Sequence, residues 1–419
     1  MSFDLRLRQP ILPILIAFLL GLQLVGPSRA WTVLLVTFGG IFLSAFFWTR
    51  SLGKNLHVRR ETHLGWVQVG GQIEERITLS NTALLPASWV EFIDRSTLPD
   101  FAASRSTGIS GGSFDQWNVQ AVCGQRGLFT LGDAQIQTGD PFGIFDVTIH
   151  ASQQTSILVL PKVAPLPDLS ISPAGSYGDG QPRRNALQQT IHASTVREYS
   201  HGDSTRQIHW PTTARMNKVF VRLMESAPEG DWWILLDLDR RNMLGKGWES
   251  IEEQSVALAA SLADFGLRAR KSVGLVTNGE ELGWLTPQKG EGQKWEIMQA
   301  LAVVKPGRRT LSSLLEKMHP SLGKHHSLIV ITASTKVDWL NSFSSFKKRG
   351  IIPTVLLLDP STFGGLDSME NIAVAIEQHG IKCHIIPNGL IEPPKMDISE
   401  TSKWTWRTTS TGEIIPIRN

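Results

Sequence analysis

Cysteine is nearly absent from this 419-residue chain, which has only Cys123 and Cys383. Two cysteines so far apart exclude a disulfide framework and fit a reducing compartment in which both remain thiols. The sequence also has no CxxC or HExxH motif, and no glycine-rich loop that ends in Lys-Ser or Lys-Thr. The sequence signatures of the common zinc and nucleotide sites are therefore missing.

An excess of charge of one sign is also missing. The chain has 41 Lys and Arg against 38 Asp and Glu, a formal net charge of +3. Nucleic-acid-binding proteins concentrate basic residues on one face, beside stacking aromatics or a recognition helix. Neither pattern occurs, so we predict no nucleic-acid partner. A composition of 41% hydrophobic and 19% charged residues is typical of folded protein, and the length predicts more than one domain.

Two N-terminal stretches lack charge altogether, residues 9–28 and residues 30–49. Each is about 20 residues long, enough for a helix to cross a hydrocarbon core of about 30 Å. Trp31 and Trp48 stand at the ends of the second stretch, as in an interfacial aromatic belt. We predict a two-helix membrane hairpin within residues 1–54, with helices at about 10–27 and 31–49.

The charges that flank this hairpin predict its orientation. Arg6 and Arg8 precede it, Arg50 and Lys54 follow it, and the turn carries Arg29 alone. The positive-inside rule then places both termini and the globular domains in the cytoplasm, on a multi-pass protein of the inner membrane. A cleaved signal peptide is the competing interpretation, but residues 27–30 make a poor cleavage site and the second stretch would still anchor the chain.

Residues 55–165 have the pattern of a β-rich domain. Polar and apolar residues alternate at 75–80, and similar short runs follow at 89–93, 114–119 and 127–131. Short strands separated by turns predict a β-sandwich. The Gly/Ser-rich residues 104–113 are predicted to be an exposed loop. Their GxSxG match at 108–112 is attributed to chance, because no buried strand and helix flank it.

From residue 231 strands and helices alternate, which predicts a doubly wound α/β domain over 231–390 and a tail at 391–419. The strands are predicted at 232–238, 273–276, 328–331, 352–358 and 382–386, and the helices at 249–267, 295–303, 311–318, 337–348 and 371–379.

Two carboxylates, Asp237 and Asp239, stand at the predicted end of the first strand of this domain. Ligands of open α/β sheets bind beyond such strand ends. If the strand continues, the two side chains point the same way and suit Mg²⁺. Alternatively, Asp239 caps the strand end while Asp237 pairs with an arginine. The second interpretation is favoured, because no third ligand is evident.

The linker region 166–230 contains the most unusual segment, which concentrates charged and aromatic residues at 196–215. Arginine rather than lysine occupies its cationic positions 197, 206 and 215, which suits bidentate pairing with carboxylates and stacking on aromatic rings. The segment is either an anion- or peptide-binding surface or an ion-pair cluster that joins the two domains. The cluster is favoured over a catalytic site, because no poised nucleophile and base are evident.

The run REYSHGDSTRQIHWPTTAR, followed by LLDLD, resembles the DUF58 family of bacterial proteins. The segments QRGLFTLGDAQIQTGDPFGIF and KPGRRTLSSLL are also similar to that family. His209 stands where the family usually has an acidic residue. The motif positions that the resemblance assigns as an interaction site are Arg197, Glu198, Tyr199, Gly202, Asp203, Arg206, Ile208, Trp210, Ala214 and Arg215.

The resemblance implies a von Willebrand factor A-like fold for the α/β domain. It also implies a membrane-anchored adaptor, without known enzymatic activity, that works with a MoxR-type AAA+ ATPase on client proteins. Metal-binding domains of that fold show Asp-x-Ser-x-Ser, whereas this chain has Asp237, Asp239 and then Arg241. We therefore expect no cofactor beyond a degenerate Mg²⁺ site at the two aspartates.

A different class of function stays open beside the adaptor. A membrane-tethered hydrolase or metalloenzyme would use Asp203 with His201 and His209, or the pair Asp237 and Asp239. Histidine suits this role because its charge changes near neutral pH.

Overall fold

The computed structural model describes residues 2–62, 65–166, 193–200, 208–216, 218–224, 231–323, 326–349, 351, 353–394, 404–408 and 414–418. The chain forms two compact units, Met1–Lys162 with Pro394–Asn419, and Val163–Pro393. The predicted mixed α/β architecture is confirmed, with several sheets and an apolar helix near the N-terminus.

The first unit contains a pair of helices and nine strands before residue 162. Its elements are β1 (Ser2–Leu7), α1 (Ile11–Val25), α2 (Arg29–Asn55), β2 (Leu56–Thr62), β3 (Trp66–Gln68), β4 (Gln72–Asn81), β5 (Ala87–Ile93), β6 (Arg105–Ile109), β7 (Ser113–Val122), β8 (Gly127–Gly139) and β9 (Phe145–Leu160). One sheet has the order β1-β9-β8-β5-β6 with β3 on β9, and the other has the order β2-β4-β7.

These two sheets share one hydrophobic core. Strand β4 shows why, since its side chains alternate between buried and partly exposed along all ten residues. Ile77 and Leu79 of this strand pack in one cluster with Phe92 of β5 and Ile149 of β9, so the cluster joins both sheets. Leu52 of α2 belongs to the same cluster, which means that the end of the apolar helix is part of the β core.

Helix α2 is longer than the predicted 31–49. Its 27 residues make it, within the described part of the chain, the one helix long and apolar enough to cross a membrane by length and composition, whereas α1 is shorter. The helix continues to Asn55 because its last turns pack on the sheet instead of ending at the first charge. At Gly53 an added Cβ would lie 3.0 Å from both Phe3 and Val147, so glycine permits this close approach.

The predicted loop at 104–113 is wrong in its first half. Residues Arg105–Ile109 form β6, which pairs with β5 at the edge of the larger sheet. Four of its five side chains are exposed or partly exposed, so the strand needs no apolar alternation and its sequence resembles a loop. The edge strand β1, which pairs with β9, was also not predicted, although its Phe3, Leu5 and Leu7 alternate with polar residues.

The second unit contains a small hairpin and a larger α/β body. Its elements are β10 (Ala193–Glu198), α3 (Trp210–Met216), β11 (Phe220–Met224), β12 (Asp231–Leu236), α4 (Ile251–Arg268), β13 (Val273–Thr277), β14 (Gly283–Gln288), α5 (Glu291–Val303), α6 (Leu311–Met318), β15 (His326–Thr332), α7 (Leu340–Lys348), β16 (Thr354–Leu358), α8 (Glu370–Gln378) and β17 (Lys382–Ile386). Strands β10 and β11 pair with each other. The tail holds a further pair, β18 (Trp404–Thr408) and β19 (Ile414–Arg418).

The sheet of the α/β body has the order β14-β13-β12-β15-β16-β17. All neighbouring strands are parallel except β14, which is antiparallel to β13. Trp233 and Leu235 of β12 pack with residues of α6, α7 and α8. Trp232 points to the other face, where its ring lies 6.1 Å from Phe265 of α4. Helices thus cover both faces, and the parallel strands all end at one edge of the sheet.

A buried ion cluster lies in the first unit. Arg60 of β2 reaches Glu75 on the core face of β4 and Asp94 just after β5, with their three side chains 5%, 1% and 4% exposed. Arg60 Nε donates to Glu75 Oε1 at 2.8 Å, and Thr62 donates to the same oxygen at 3.1 Å. Burial alone would lower the pKa of Arg60, but the bonds to Glu75 and Asp94 raise it above its ordinary value.

We expect Arg60→Met to destabilise the first unit by about 3–5 kcal/mol, because two carboxylates would stay buried without their cation. Arg59→Met is the matched control, since the neighbouring Arg59 side chain is 76% exposed and exposed ion pairs contribute about 0–1 kcal/mol. Urea unfolding of the detergent-solubilised chain, read from hydrogen exchange of β4, measures both. Equal losses in the two variants would contradict a structural role for the cluster.

Candidate functional site

Three polar side chains meet where the central parallel strands end. Asp237 follows β12, Asn278 follows β13 and Thr332 ends β15. Asp237 Oδ1 accepts from Asn278 Nδ2 at 2.6 Å, and Oδ2 accepts from the Thr332 hydroxyl at 2.7 Å. The backbone N–H of Asp239 also donates to Oδ1 at 3.2 Å. Parallel pairing brings these strand ends together, so a carboxyl that is 1% exposed has donors from the ends of three neighbouring strands.

Burial dominates the electrostatics of Asp237. It raises the pKa of this carboxyl above its ordinary value, although the bonds from Thr332, Asn278 and the Asp239 backbone lower it. The charge of Asp239 raises it further. Asp237 is therefore held toward its neutral form, which is a poor ligand for a divalent cation.

Asp239 is occupied by its own chain. It caps a short 3-10 turn, Arg240–Asn242, by accepting from the Arg241 backbone N–H at 3.1 Å. The Arg241 guanidinium also binds both of its carboxylate oxygens, through Nε at 3.0 and 3.1 Å and through a second nitrogen at 2.5 Å. Burial would raise the pKa of Asp239, but Arg241 and then Lys336 outweigh it and lower that pKa.

The contacts of the two aspartates match neither of the two arrangements predicted from the sequence in full. The strand does not continue through them, because the chain turns after Leu236. Asp239 does act as a cap, but the arginine pairs with Asp239, and Asp237 is instead bound by Asn278 and Thr332. Both oxygens of Asp237 already accept hydrogen bonds from the chain, and a guanidinium binds both oxygens of Asp239, so this donor set does not fit Mg²⁺.

The KPGRR segment forms the floor of this strand end. Gly307 forms a parallel bridge with Asp239, donates to Leu238 O at 2.9 Å and accepts from Arg240 N at 2.8 Å. A Cβ at Gly307 would lie 2.3 Å from Gly279 O, so no other residue fits without a shift. The carbonyl of Arg309 accepts from Asn278 Nδ2 at 2.9 Å. A segment distant in sequence thereby joins the carboxylate network.

The rim around this network carries exposed cations beside exposed apolar side chains. Arg240, Arg241, Arg308 and Lys336 are exposed. Nearby are Leu244, Val337 and Leu366, which are 38%, 48% and 102% exposed. Leu244 lies close to Gly365, where an added Cβ would meet its Cδ1 at 2.8 Å. We call these seven residues the strand-end rim.

Part of the predicted motif site lies in the hairpin of the second unit. Arg197 of β10 stands opposite Val221, and Tyr199 N donates to Val219 O at 2.8 Å. Glu198 pairs with Lys218 at 3.0 Å. Ile208 forms a bridge with Val221.

The helix of this motif exposes its side chains. Trp210 is 67% exposed, and Ala214 and Arg215 are also exposed. The ring of His209 lies 2.7 Å from the Thr212 hydroxyl and 3.3 Å from its backbone nitrogen, so it serves its own turn. The motif residues Gly202, Asp203 and Arg206, and the candidate base His201, lie outside the described residues.

Sequence reasoning missed Asn278, Thr332 and Gly307 as members of the site. Asn278 and Thr332 carried a usable signal, since each is a polar residue at the end of an apolar strand run. Gly307 carried none beyond its place in KPGRR, because its role depends on contact with a loop far along the chain.

We expect the stability of the wild-type chain relative to Asp237→Asn to fall as pH rises above about 4. An unfolded Asp has a pKa of about 3.9, and burial raises the folded value. Its contribution is therefore fully present below the unfolded pKa and is lost as pH rises through the folded one. Thermal unfolding of the full chain in detergent, followed at several pH values, measures this difference.

Asp239→Asn is the control of opposite sign. The pKa of Asp239 is lowered in the fold, so its contribution is present above the unfolded pKa and is lost as pH falls through the folded one. The same pH trend in both variants would show that the two carboxyls are not held in different states.

Comparison with known proteins finds one family model that matches part of this chain. Residues 195–363 match the model described as "Protein of unknown function DUF58". Uncharacterized proteins of Mycobacterium bovis and Mycobacterium tuberculosis are each 21% identical over 170 residues, covering 39% of this chain. The match spans 54% of each relative, about half its length.

Two solved structures show low overall similarity. Proximal thread matrix protein 1 from the mussel byssus is 13% identical, with a TM-score of 0.24 over 31% of this chain and 38% of that one. A FixG-related protein from Vibrio parahaemolyticus is 8% identical, with a TM-score of 0.18 over 25% of this chain and 96% of that one. The family match, by contrast, includes the motif hairpin, the strand end and the KPGRR segment, and it shows that residues 195–363 of this chain are similar to the DUF58 family.

Proposed function

We propose that this chain is a membrane-anchored, non-enzymatic adaptor that binds a protein partner on the strand-end rim of its α/β body. The observation that carries the proposal is the Asp239–Arg241 pair, in which a guanidinium of the chain itself binds both oxygens of the carboxylate. A side chain thus supplies the positive charge that a cation would bring to such a strand end. The strand end is where ligands of open α/β sheets bind, but here it presents charged side chains of the chain itself.

The sheet supports a von Willebrand factor A-like assignment for this body. Its central strand β12 is flanked by β13 and β15, and the chain moves outward to β14 on one side and to β17 on the other. The antiparallel edge strand β14 follows β13 directly. The resemblance to DUF58 implies the same fold, in which Asp237, Asp239 and Arg241 stand at the degenerate metal motif.

The composition of the strand-end rim favours a protein over other partners. Its cations are interleaved with apolar side chains, and Leu366 is fully exposed. Acidic residues stand close by, with Glu280, Glu281 and Asp338 all exposed. A polyanion such as nucleic acid would be repelled by those carboxylates, whereas a protein surface can match mixed charge and apolar contacts. The family resemblance points to a MoxR-type AAA+ ATPase as this partner.

The hydrolase alternative receives less support from the described residues. His209 is bound to Thr212 within its own turn, and Asp237 is enclosed by its three donors. Neither is placed to activate a nucleophile, which requires a base within hydrogen-bond reach of the group it deprotonates.

Affinity capture tests the adaptor proposal. The full chain, solubilised in mild detergent, is expected to retain an AAA+ ATPase, and the double variant Arg308→Glu with Lys336→Glu to retain roughly tenfold less, since like charges across an interface cost several kcal/mol. Arg241 is left intact in this variant because it binds Asp239.

Lys289→Glu is the matched control. This exposed lysine follows the antiparallel strand β14, so it lies at the opposite edge of the sheet. If all variants retain as much ATPase as the wild-type chain, the strand-end rim is not part of the interface. Repeated recovery of the wild-type chain with no ATPase would overturn the proposed partner.

We also propose that α1 and α2 form a membrane hairpin with both globular units in the cytoplasm. The support is the apolar length of α2, the packing of α1 beside it and the basic residues Arg6, Arg8, Arg50 and Lys54 at the base. A green fluorescent protein fused at residue 419 is expected to be fluorescent, and an alkaline phosphatase fused there to be inactive. An active phosphatase fusion would show that residue 419 lies outside the cytoplasm and would contradict the proposed orientation.

A further inference from the structure

The end of the β8–β9 hairpin lies directly against the apolar helices. The ring of Phe145 is 5.1 Å from Phe42 and 5.7 Å from Phe46 of α2. Ile144 is buried in the same cluster, and its carbonyl accepts from Arg8 N at 2.8 Å, just before α1 begins. The turn at residues 140–144, which we call the basal turn, therefore sits beside the start of α1 and the middle of α2.

The lengths of α1 and α2, compared with the thickness of a hydrocarbon core, indicate whether lipid surrounds the basal turn. Helix α1 has 15 residues, and at ~1.5 Å per residue it measures about 22 Å, less than the ~30 Å of a hydrocarbon core. The uncharged stretch of helix α2, Ala30–Thr49, measures about 30 Å. That stretch includes Phe42 and Phe46. A hydrocarbon layer that surrounds the whole stretch therefore also surrounds Phe145, which packs on these two rings.

We propose that the basal turn is inserted into the apolar layer, so that the β domain is seated in the bilayer instead of being held above it. This inference rests on the membrane anchoring proposed above. It assigns to the β domain a lipid-binding surface, formed by the basal turn and the adjoining Leu7.

The chemistry of the basal turn suits an apolar surrounding. Phe142 is 57% exposed and Leu7 is 43% exposed. The one carboxylate of the turn, Asp140, is 1% exposed. It accepts from the backbone nitrogens of Phe142 at 2.8 Å and Phe145 at 2.6 Å. The turn thus satisfies its buried charge internally and offers apolar side chains outward.

The charged residues next to the turn set the depth of insertion. Arg8 and Asp146 approach to 3.7 Å, and their side chains are 59% and 34% exposed. A long arginine side chain can extend its guanidinium to the headgroups while its stem stays in apolar surroundings. With the basal turn inserted, we expect this pair to lie at the level of the headgroups. Phe47 of α2 is 63% exposed, and its ring lies 5.6 Å from that of Phe46, so the helix also has an exposed apolar side chain near the basal turn.

Spin labelling in proteoliposomes tests the proposal. The full chain carrying Cys383→Ser and Phe142→Cys is labelled with a nitroxide and placed in vesicles of phosphatidylethanolamine and phosphatidylglycerol. Cys123 is fully buried and burial raises the pKa of its thiol to about 11, so it stays unlabelled. We expect a severalfold higher ratio of oxygen to water-soluble nickel accessibility at 142 than at a matched control.

Leu128→Cys supplies that control. Leu128 is an apolar residue of similar exposure, 63%, near the start of β8 at the other end of the same hairpin. Leu7→Cys is the second probe and is expected to behave like position 142. Equal, water-like accessibility at 7, 142 and 128 in a chain that resists carbonate extraction overturns this inference alone. A chain that carbonate extracts overturns the membrane anchoring itself.

Discussion

The α/β body depends on the hydrogen bonds that the buried carboxyl of Asp237 accepts from the neighbouring strand ends. A carboxyl removed from water costs several kcal/mol unless donors of the protein replace the lost hydration. Asn278 and Thr332 supply them, and they come from the strands on either side of β12. Asn278 also donates to the Arg309 carbonyl, which fixes the KPGRR segment. The loops that would otherwise move independently are thereby tied to one group.

The first unit applies the same constraint to different residues. Glu75 lies on the core face of β4, in an alternation that otherwise buries apolar side chains. It is tolerated there because Arg60 spans the gap between the two sheets and binds both Glu75 and Asp94. Asp140 is met by backbone donors of its own turn. Each of these buried carboxylates thus has hydrogen-bond donors from the chain itself, as buried polar groups require.

The sequence predicted those parts of the fold whose signal is local and apolar. Strand β17 and helix α6 occur at the predicted residues 382–386 and 311–318, because each has a clear apolar pattern between turn residues. Strands β6 and β14 were missed, since these edge strands have mostly exposed or partly exposed side chains and carry little apolar alternation, whereas β1 was missed although Phe3, Leu5 and Leu7 alternate with polar residues. At the site, Asp237 and Asp239 were found from their position after a strand. The partners of these two aspartates were not found from the sequence. Arg241 reaches Asp239 because of the turn that follows β12, and Asn278 reaches Asp237 because β13 lies next to β12 in the sheet.

The length of α2 changes the meaning of the N-terminal hairpin. Two uncharged stretches suggest a tether, in which membrane and globular parts are separate. The structure instead has one helix whose first half is exposed and apolar and whose last turns are core of the β domain, with Ala45, Leu52 and Gly53 packed on the strands. A helix shared in this way has no flexible joint, because Leu56 begins β2 directly after Asn55. Under the proposed membrane anchoring, any tilt or displacement of the helix in the bilayer moves the β domain with it, so that domain keeps a fixed orientation to the membrane surface.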